Sequence, residues 1–339
     1  MNKKRVLAML LAGAMALSMT ACGGGNSAST DDSSKDGGAS ASGGSYKVSV
    51  ILKTLAAEYW QYVKSGAEDY ASEHSDKVTV EVKGPSSETA FDEMQNMIET
   101  DLSSGSYDGL IISPLQSDTA AQLVSGTKLP IVAIDTNFEA PEVKSFVGTG
   151  NEAAAKKGGE AAVEAAKAAG WTDIKCIEIA GVQGDQTNTA RMNGYKAGVE
   201  EAGGTFLSDE VQYADATADR ATTAMEAIMQ THPEGIAIIC ANNDDMAMAA
   251  ARAAQGHDAY KNTIFLGFNG DRAACEAILA GQMTMSVAQM AYEMGYKAVE
   301  TMVQVLDGET VDEFVDSGSD VVTPDNAQER LDTLKTQLH

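Results

Sequence analysis

Polar and aromatic side chains follow the apolar runs of this sequence at the points where the runs end. The first run, Val48–Leu52, is followed by Lys53 and then by the adjacent aromatic residues Tyr59 and Trp60, and a later run ends at Asp135. Aromatic faces pack on the C–H face of a sugar ring, and a carboxylate accepts hydrogen bonds from paired hydroxyls. These residue types favour recognition of a small polyhydroxylated molecule.

Hydroxyl and amide side chains stand at the other run ends. The further candidate ligand-binding residues of this kind are Ser113, Thr136, Thr149, Asn243, Asn269 and Gln289. Any one of them is readily explained as a helix cap, since such side chains accept hydrogen bonds from the first N–H groups of a helix. Their repetition indicates one shared site, because ligands bind beyond the carboxyl ends of parallel strands.

Short apolar runs alternate with amphipathic helical patterns from residue 46 onward. The helix predicted over Thr89–Leu102, for example, places its large apolar residues on one face. Strands that alternate with helices predict an α/β fold with mostly parallel sheets and right-handed crossovers. The number of strands, among them one predicted over Gly204–Tyr213, exceeds what a single sheet commonly holds, so we expect two sheets.

Residues 1–45 differ in composition from the rest of the chain. Three basic residues precede the apolar segment Val6–Met19, which is typical of a secretory signal. Met19–Cys22 resembles a bacterial lipoprotein processing site, which implies a signal peptide over 1–21 and a lipid on Cys22. Residues 22–45 are rich in Gly, Ser, Ala and Asp and predict a flexible tether. An ordinary signal peptide that is cut nearby is the alternative.

The charge and hydropathy of the chain exclude several classes of partner. The 339 residues carry a formal net charge of −25 at pH 7, which counts against nucleic acid and against anionic lipid as partners of the protein surface. No later segment is apolar for the roughly 18 residues that a membrane span needs. We therefore expect an extracytoplasmic protein that is attached to the membrane only through Cys22.

One motif favours an enzyme. Gly148–Ala153 fits the dinucleotide fingerprint G-x-G-x-x-A between a strand and a helix. The acidic residue that the fingerprint requires at the end of the next strand is missing, because that strand ends in Ile179-Ala180-Gly181 and Glu178 lies within it. We keep a nicotinamide-dependent enzyme as a remote alternative and expect neither catalysis nor a cofactor.

Metal chemistry has no support in the sequence. The four histidines are scattered, and no pair of cysteines shows the spacing of metal ligands. Cys176, Cys240 and Cys275 are predicted to be small core residues. We therefore expect no metal site.

The motifs at the run ends, taken in order, make the chain resemble the ribose-binding family, the type I sugar-binding proteins of ABC importers. The resemblance covers about 46–330 and rests on the aromatic pair, Ser113-Pro114, Ile134-Asp135, Ala190-Arg191, His232-Pro233, Asn243-Asp244, Gly267-Phe268-Asn269-Gly270 and Ala288-Gln289. It implies two similar doubly wound parallel-sheet lobes joined by three crossings. The implied N-terminal lobe is 46–148 plus 290–316, and the C-terminal lobe is 149–289 plus 317–339.

The resemblance also implies roles for individual residues. Tyr59 and Trp60 stack on the sugar, Asp135 accepts hydrogen bonds from its hydroxyls, and Arg191 donates from the second lobe. The amides that complete the ring of hydrogen bonds are Asn243 and Gln289.

Five positions depart from the ribose-binding pattern. A small hydroxyl residue, an amide, an arginine, an aromatic residue and an aspartate are replaced, respectively, by Lys53, Ala57, Thr136, Ala216 and Asn269. The site gains a cation and loses a carboxylate, which counts against ribose itself. Lys53 is within joint reach of Asp135, because strand ends two ladders apart lie about 10 Å from each other. Related proteins that bind the furanosyl signal autoinducer-2 also have a lysine here, so an anionic or carbonyl-bearing ligand is an open alternative.

The resemblance implies how such a protein works. The lobes close on the ligand, and the closed form docks on the permease and ATPase of an importer. A chemoreceptor or a kinase is the alternative partner. We expect the protein to be a monomer.

Overall fold

Strands and helices alternate along nearly the whole of the computed structural model, which describes residues 45–338. The strands are β1 (Tyr46–Ile51), β2 (Val78–Lys83), β3 (Gly109–Ile112), β4 (Ile131–Ile134), β5 (Val143–Gly148), β6 (Lys175–Ala180), β7 (Thr205–Phe206), β8 (Gln212–Tyr213), β9 (Ile238–Ala241), β10 (Ile264–Asn269), β11 (Met285–Gln289), β12 (Phe314–Asp316) and β13 (Ser319–Val322). The α-helices are α1 (Glu58–Glu73), α2 (Phe91–Ser104), α3 (Ser117–Val124), α4 (Asn151–Ala168), α5 (Gln186–Glu201), α6 (Ala218–Thr231), α7 (Asp244–Ala254), α8 (Arg272–Leu279), α9 (Ala291–Leu306) and α10 (Ala327–Lys335).

The first sheet has the strand order β12-β5-β4-β3-β1-β2, and all its pairs are parallel. Its interior strand β1 has no exposed surface at Val48, Val50 or Ile51. The unbroken apolar run is explained by this position, because a strand covered by helices on both faces buries both sets of side chains.

The second sheet has the strand order β13-β11-β10-β9-β6-β7, with β8 also paired to β6. All pairs are parallel except that of β13 with β11, which is antiparallel. The predicted α/β fold with two doubly wound parallel sheets is thereby confirmed.

The chain passes between the two sheets three times: after β5, after β11 and between β12 and β13. Helix α9 returns to the first sheet, where it packs against α1. The exact residue boundaries of the two lobes stay a prediction.

Helices α1 and α9 approach each other closely through glycine. A Cβ atom on Gly66 would lie 2.0 Å from the carbonyl oxygen of Tyr292, and one on Gly295 would lie 1.9 Å from that of Val63. The two helices therefore pack backbone to backbone, and this contact holds α9 on the first lobe.

Some expectations about elements were wrong or incomplete. The strand predicted over Gly204–Tyr213 is two short strands, β7 and β8, because a 3-10 turn at Ser208–Glu210 interrupts it. The sequence did not reveal β12, β13 or α10. The signal peptide 1–21, Cys22 and most of the tether 22–45 lie outside the described residues.

Residues 45–338 include the three cysteines that were predicted to lie in the core. Cys176, Cys240 and Cys275 are buried free thiols, as expected for core residues, and the sulfur atoms of Cys176 and Cys240 lie 3.3 Å apart. In this part of the chain no helix has the length and apolar character to cross a membrane.

Candidate ligand-binding site

The carboxyl ends of strands from both sheets surround one cavity of about 60 Å³. The first sheet contributes residues after β1, β2 and β4, and the second contributes residues after β6, β8, β9 and β10. The lining residues are Lys53, Ala57, Tyr59, Trp60, Glu88, Asp135, Gly181, Val182, Asp185, Thr187, Asn188, Arg191, Ala216, Asn242, Asn243, Asp245, Asn269 and Asp271.

Most of the predicted site residues lie at this cavity. Those that line it are Lys53, Tyr59, Trp60, Asp135, Arg191, Asn243 and Asn269.

Four predicted residues do not line the cavity. Thr136 and Gln289 lie behind it, since each forms a hydrogen bond to a lining residue. Ser113 is buried, and its hydroxyl has no partner within residues 45–338. Thr149 shares a hydrogen bond with the hydroxyl of Ser317, at 3.2 Å, where the chain passes between the sheets. Being at a strand end is thus not sufficient to reach the cavity.

Asp135 is held by two hydroxyl donors. The phenol of Tyr59 donates to Oδ1 at 2.8 Å, and Thr136 donates to Oδ2 at 2.9 Å. The residue has φ of 62°, in the left-handed region that few residues other than glycine adopt. This conformation costs free energy, so the surroundings of Asp135 at the end of β4 must impose it.

Backbone strain is concentrated at the cavity. Non-glycine residues with positive φ within 45–338 are Asp135, Asp215, Ala216 and Asn269, and all but Asp215 line the cavity. Because a strained residue persists only where its surroundings impose it, this clustering supports the cavity as a candidate functional site.

Lys53 forms a buried ion pair that joins the two lobes. Its ammonium contacts Asp185, the N-cap of α5, and lies 3.9 Å from Asp135 Oδ2. Burial alone lowers the pKa of Lys53, but the charges of Asp185 and Asp135 hold that pKa above its ordinary value. Lys53 does reach Asp135, as the strand spacing indicated, but its nearer partner is Asp185.

The aromatic pair is buried and orders its neighbours. Tyr59 and Trp60 meet edge to face with ring centroids 4.9 Å apart, and the indole N–H of Trp60 donates to Glu88 at 3.0 Å. Burial raises the pKa of Tyr59 well above its usual range, so its hydroxyl stays protonated as a donor to Asp135. Both rings lie at the cavity, where a sugar face can pack on them.

Arg191 enters the cavity from α5 of the second lobe. Its Nε donates to Asn151 at 2.8 Å and its Nη1 to the carbonyl of Asn242 at 2.7 Å, and its guanidinium lies 3.8 Å from the ring centre of Phe268. Within residues 45–338 no carboxylate lies within ion-pair distance of it, and its Nη2 has no hydrogen-bond partner. The side chain is thus fixed with donors to spare.

The amides of the second lobe are already engaged. Asn243 caps α7 by accepting from the N–H of Met246 at 2.9 Å, so the capping explanation holds for it even though it also lines the cavity. Gln289 donates to Asn269 Oδ1 at 3.0 Å, and Asn269 donates to Asp271 at 3.2 Å. Gln289 therefore orients Asn269 from behind.

Several lining residues were not predicted. Asp271 and Asn242 stand beside predicted residues at strand ends, so the pattern that indicated Asn269 and Asn243 extends to them. Glu88 and Asp185 lie in loops that follow β2 and β6, and no local pattern distinguishes them from other surface acids. The remaining unpredicted polar lining residues are Thr187, Asn188 and Asp245.

Side chains of the two lobes contact each other around the cavity. The Thr136 and Thr187 hydroxyl oxygens are 2.6 Å apart, and Arg272 Nε lies 3.2 Å from Glu58 Oε1 at the exposed rim. Together with the Lys53–Asp185 pair, these contacts describe a closed cleft.

Asn151 of the dinucleotide motif forms hydrogen bonds within the protein. Asn151, the first residue of α4, donates to the carbonyl of Thr149 and accepts from Arg191. Glu178, the nearest acid on the following strand, has no exposed surface. Over residues 45–338 no group of three His, Cys, Asp or Glu side chains is placed to hold a metal ion.

Comparison with known proteins gives consistent matches. A model of the periplasmic binding protein domain matches residues 48–310. The D-allose-binding periplasmic protein of Escherichia coli is 30% identical over 265 residues, which cover 75% of this chain and 83% of that protein. The ribose import binding protein of Bacillus subtilis is 26% identical over 274 residues, which cover 80% of this chain and 85% of the relative.

A solved structure gives the same fold. An ABC transporter solute binding protein from Agrobacterium vitis, with bound D-fucose, aligns with a TM-score of 0.75 and 24% identity over 86% of this chain and 100% of that one. At this identity the likeness shows the fold alone.

Proposed function

The chain belongs to the periplasmic binding protein domain family, and on this premise we propose that it captures a sugar or sugar-like molecule outside the cytoplasm and delivers it to an ABC importer. The family consists of binding proteins, so no catalysis is proposed. The observation that carries the proposal is the closed cavity between the two sheets, with an aromatic pair, a carboxylate and a guanidinium on its walls.

The wall groups suit hydroxyl recognition. Asp135 accepts two hydroxyl hydrogen bonds already and has further lone pairs for a ligand, while Arg191 has donors in reserve. Tyr59 and Trp60 lie on the first lobe and Arg191 on the second, so a ligand can touch all of them only when the cleft is closed. Closure is then favoured by the ligand, because it makes contacts in the closed form that the open form lacks.

The anionic alternative loses its main support. Lys53 suggested an anionic ligand, but its ammonium is paired with Asp185 and Asp135. The relatives described above are named for allose and ribose, and a neutral sugar of this kind suits the walls better than an anion does. The substitutions at Ala57, Thr136, Ala216 and Asn269 favour a sugar other than ribose.

The location and partners are part of the same proposal. A lipid on Cys22 and the tether 22–45 hold the protein at the outer face of the membrane as a monomer, from where the closed form reaches the permease and ATPase. Mass spectrometry of the N-terminal peptide tests the lipid: an unmodified cysteine there contradicts the anchor.

Isothermal titration with a panel of pentoses and hexoses tests binding. Removing a buried charge-assisted hydrogen bond costs about 1.5–3 kcal/mol, so Asp135→Ala and Arg191→Ala should each weaken the binding of the best sugar roughly 10- to 150-fold. Asp92→Ala, at the exposed start of α2, is the control and should bind as the wild type does. Unchanged affinity in both site variants would remove the basis of the proposed site.

A further inference from the structure

The charges on the cavity wall do not balance. The carboxylates that line the cavity are Glu88, Asp135, Asp185, Asp245 and Asp271, whereas its cations are Lys53 and Arg191. Sequence comparison with the ribose pattern indicated the opposite, a gain of positive charge through Lys53 and Asn269. Of the acids that reverse this balance, Glu88 and Asp185 lie in loops, Asp245 lies in the first turn of α7, and Asp271 follows β10.

The two cations leave three of these carboxyl groups without an ion-pair partner in the described part of the chain. Lys53 is committed to Asp185 and Asp135, and Arg191 bonds to an amide and a carbonyl. Over the described residues 45–338, Glu88, Asp245 and Asp271 have no lysine, arginine or histidine within ion-pair distance. A sugar hydroxyl can donate to these carboxylates but brings no charge to offset theirs.

Asp271 is the best placed of the three. It is only 9% exposed, its Oδ2 accepts from Asn269 at 3.2 Å, and its Oδ1 has no partner among residues 45–338. The amide of Gln289 donates to Asn269 in turn, so the two amides donate in succession toward Asp271. The wall therefore presents, at Asp271 Oδ1, an acceptor atom without a donor among the described residues.

A second acid deepens the negative field. Asp244 lies beneath the wall, where its Oδ2 accepts the backbone N–H of Asp271 at 2.9 Å and its Oδ1 accepts from Ser286. Burial, followed by the charge of Asp244, raises the pKa of Asp271 well above its usual range. A cation beside Asp271 relieves both effects, because an opposite charge favours the ionised carboxylate.

We propose that the ligand is an amino-substituted sugar whose ammonium group pairs with Asp271. This inference rests on the proposed function and names the ligand class of the same site. An ammonium supplies three hydrogen-bond donors and one positive charge, which meets the vacant acceptor of Asp271 and offsets the excess of carboxylates. The aromatic pair, Asp135 and Arg191 remain for the ring and its hydroxyls.

Titration calorimetry of the full chain with matched sugars tests the inference. The panel contains glucosamine, galactosamine and mannosamine, each with its parent hexose and its N-acetyl derivative, which has lost the charge. Because the ammonium adds a charge-assisted hydrogen bond that the parent and the N-acetyl derivative cannot make, the best amino sugar should bind at least about tenfold more tightly than either.

Variants assign the preference to one carboxylate. Asp271→Asn keeps the size of the side chain and should bring the amino sugar to within about threefold of its parent, and Asp245→Asn should reduce the preference less, since Asp245 is exposed. Asp209→Asn, an exposed residue of the second lobe, is the control for loss of one charge. Thermal unfolding checks that each variant is folded. If Asp271→Asn does not fold, Asp245→Asn alone must still reduce the preference.

The titration has a second readout. If Asp271 ionises when the ammonium arrives, binding releases protons, and the apparent enthalpy changes with the ionisation enthalpy of the buffer.

The outcomes separate the two proposals. A parent hexose that binds as tightly as its amino sugar overturns the ammonium inference and leaves the proposed function standing. Failure of every sugar in this and the larger panel overturns both.

Discussion

Glu178 is a buried acid that does not line the candidate site. It lies in β6 with no exposed surface, its Oε1 accepts from Asn242 at 3.4 Å, and its Oε2 has no partner in residues 45–338. Burial raises its pKa from 4.5 to about 8, against the weaker opposing effects of Asn242 and Arg191. The folded protein therefore keeps a proton there that the unfolded chain loses above about pH 4.5.

The free energy of unfolding should consequently fall as the pH rises from about 5 to 8, as far as this residue contributes. Glu178→Gln mimics the protonated acid and should remove that contribution. At about 1.4 kcal/mol per pH unit, we expect the variant to gain roughly 2–4 kcal/mol over the wild type between pH 5 and pH 8. Urea unfolding at both pH values measures the gain. Equal pH dependence in the two proteins would mean that Glu178 is not protonated in the fold.

At the scale of elements, the packing of α9 on α1 depends on two glycines. Gly295→Ala places a Cβ atom 1.9 Å from the carbonyl oxygen of Val63, so the helices must separate. Although alanine is the better helix former, we expect a loss of about 2 kcal/mol or more in the free energy of unfolding.

Gly150→Ala is the matched control for this substitution. It has open space around the added methyl group and φ of −66°. Because Gly150 is the N-cap of α4, where alanine is less favourable, the free energy of unfolding should fall by no more than about 1 kcal/mol. If the two variants are equally stable in urea, the helices can separate without cost and the close contact is not essential.

The elements found from sequence and those missed differ in burial. Strands such as β3 and β4 are buried at every residue, so their apolar runs predict them directly. Strands β12 and β13 are short and mostly half-buried or exposed. Their polar residues interrupt the apolar run that would predict a strand. The predicted strand 204–213 was wrong because its apolar residues belong to two separate pieces around a turn.

The candidate site was predictable to the extent that it lies at strand ends. Lys53 and Asp135 follow buried strands directly, and the topology places both at the cavity. Glu88 and Asp185 come from loops between elements, and only the fold brings them to the same cavity. Whether an amide faces the ligand or caps a helix was also hidden, and Asn243 does cap α7.

At the scale of the whole molecule, the two lobes are joined by ion pairs of unequal depth. Lys53 and Asp185 are almost fully buried, whereas Arg272 and Glu58 are partly exposed. Exposed pairs contribute little because water and salt screen them. Of these two ion pairs, Lys53–Asp185 is therefore the one that we expect to contribute more to keeping the cleft closed.

Asp185→Asn tests this view, because asparagine keeps the N-cap of α5 and removes only the charge. Lys53 retains Asp135 as a partner, so its charge stays compensated. We expect the ligand-free variant to have a larger radius of gyration by X-ray scattering than the wild type, and saturating sugar to restore the smaller value. Arg272→Gln should leave the radius unchanged. Equal radii for Asp185→Asn and wild type would show that other contacts close the cleft.

Strand β12 has a consequence for how this chain is made. It adds the last strand to a sheet begun by residue 46, and Ser145 beside it donates to the carbonyl of Asp312, 167 residues later. Such distant pairing slows folding, because a long loop must close before the contact forms. The first sheet thus stays incomplete until residue 316 has been synthesised, and until then β5 lacks its neighbour on that side.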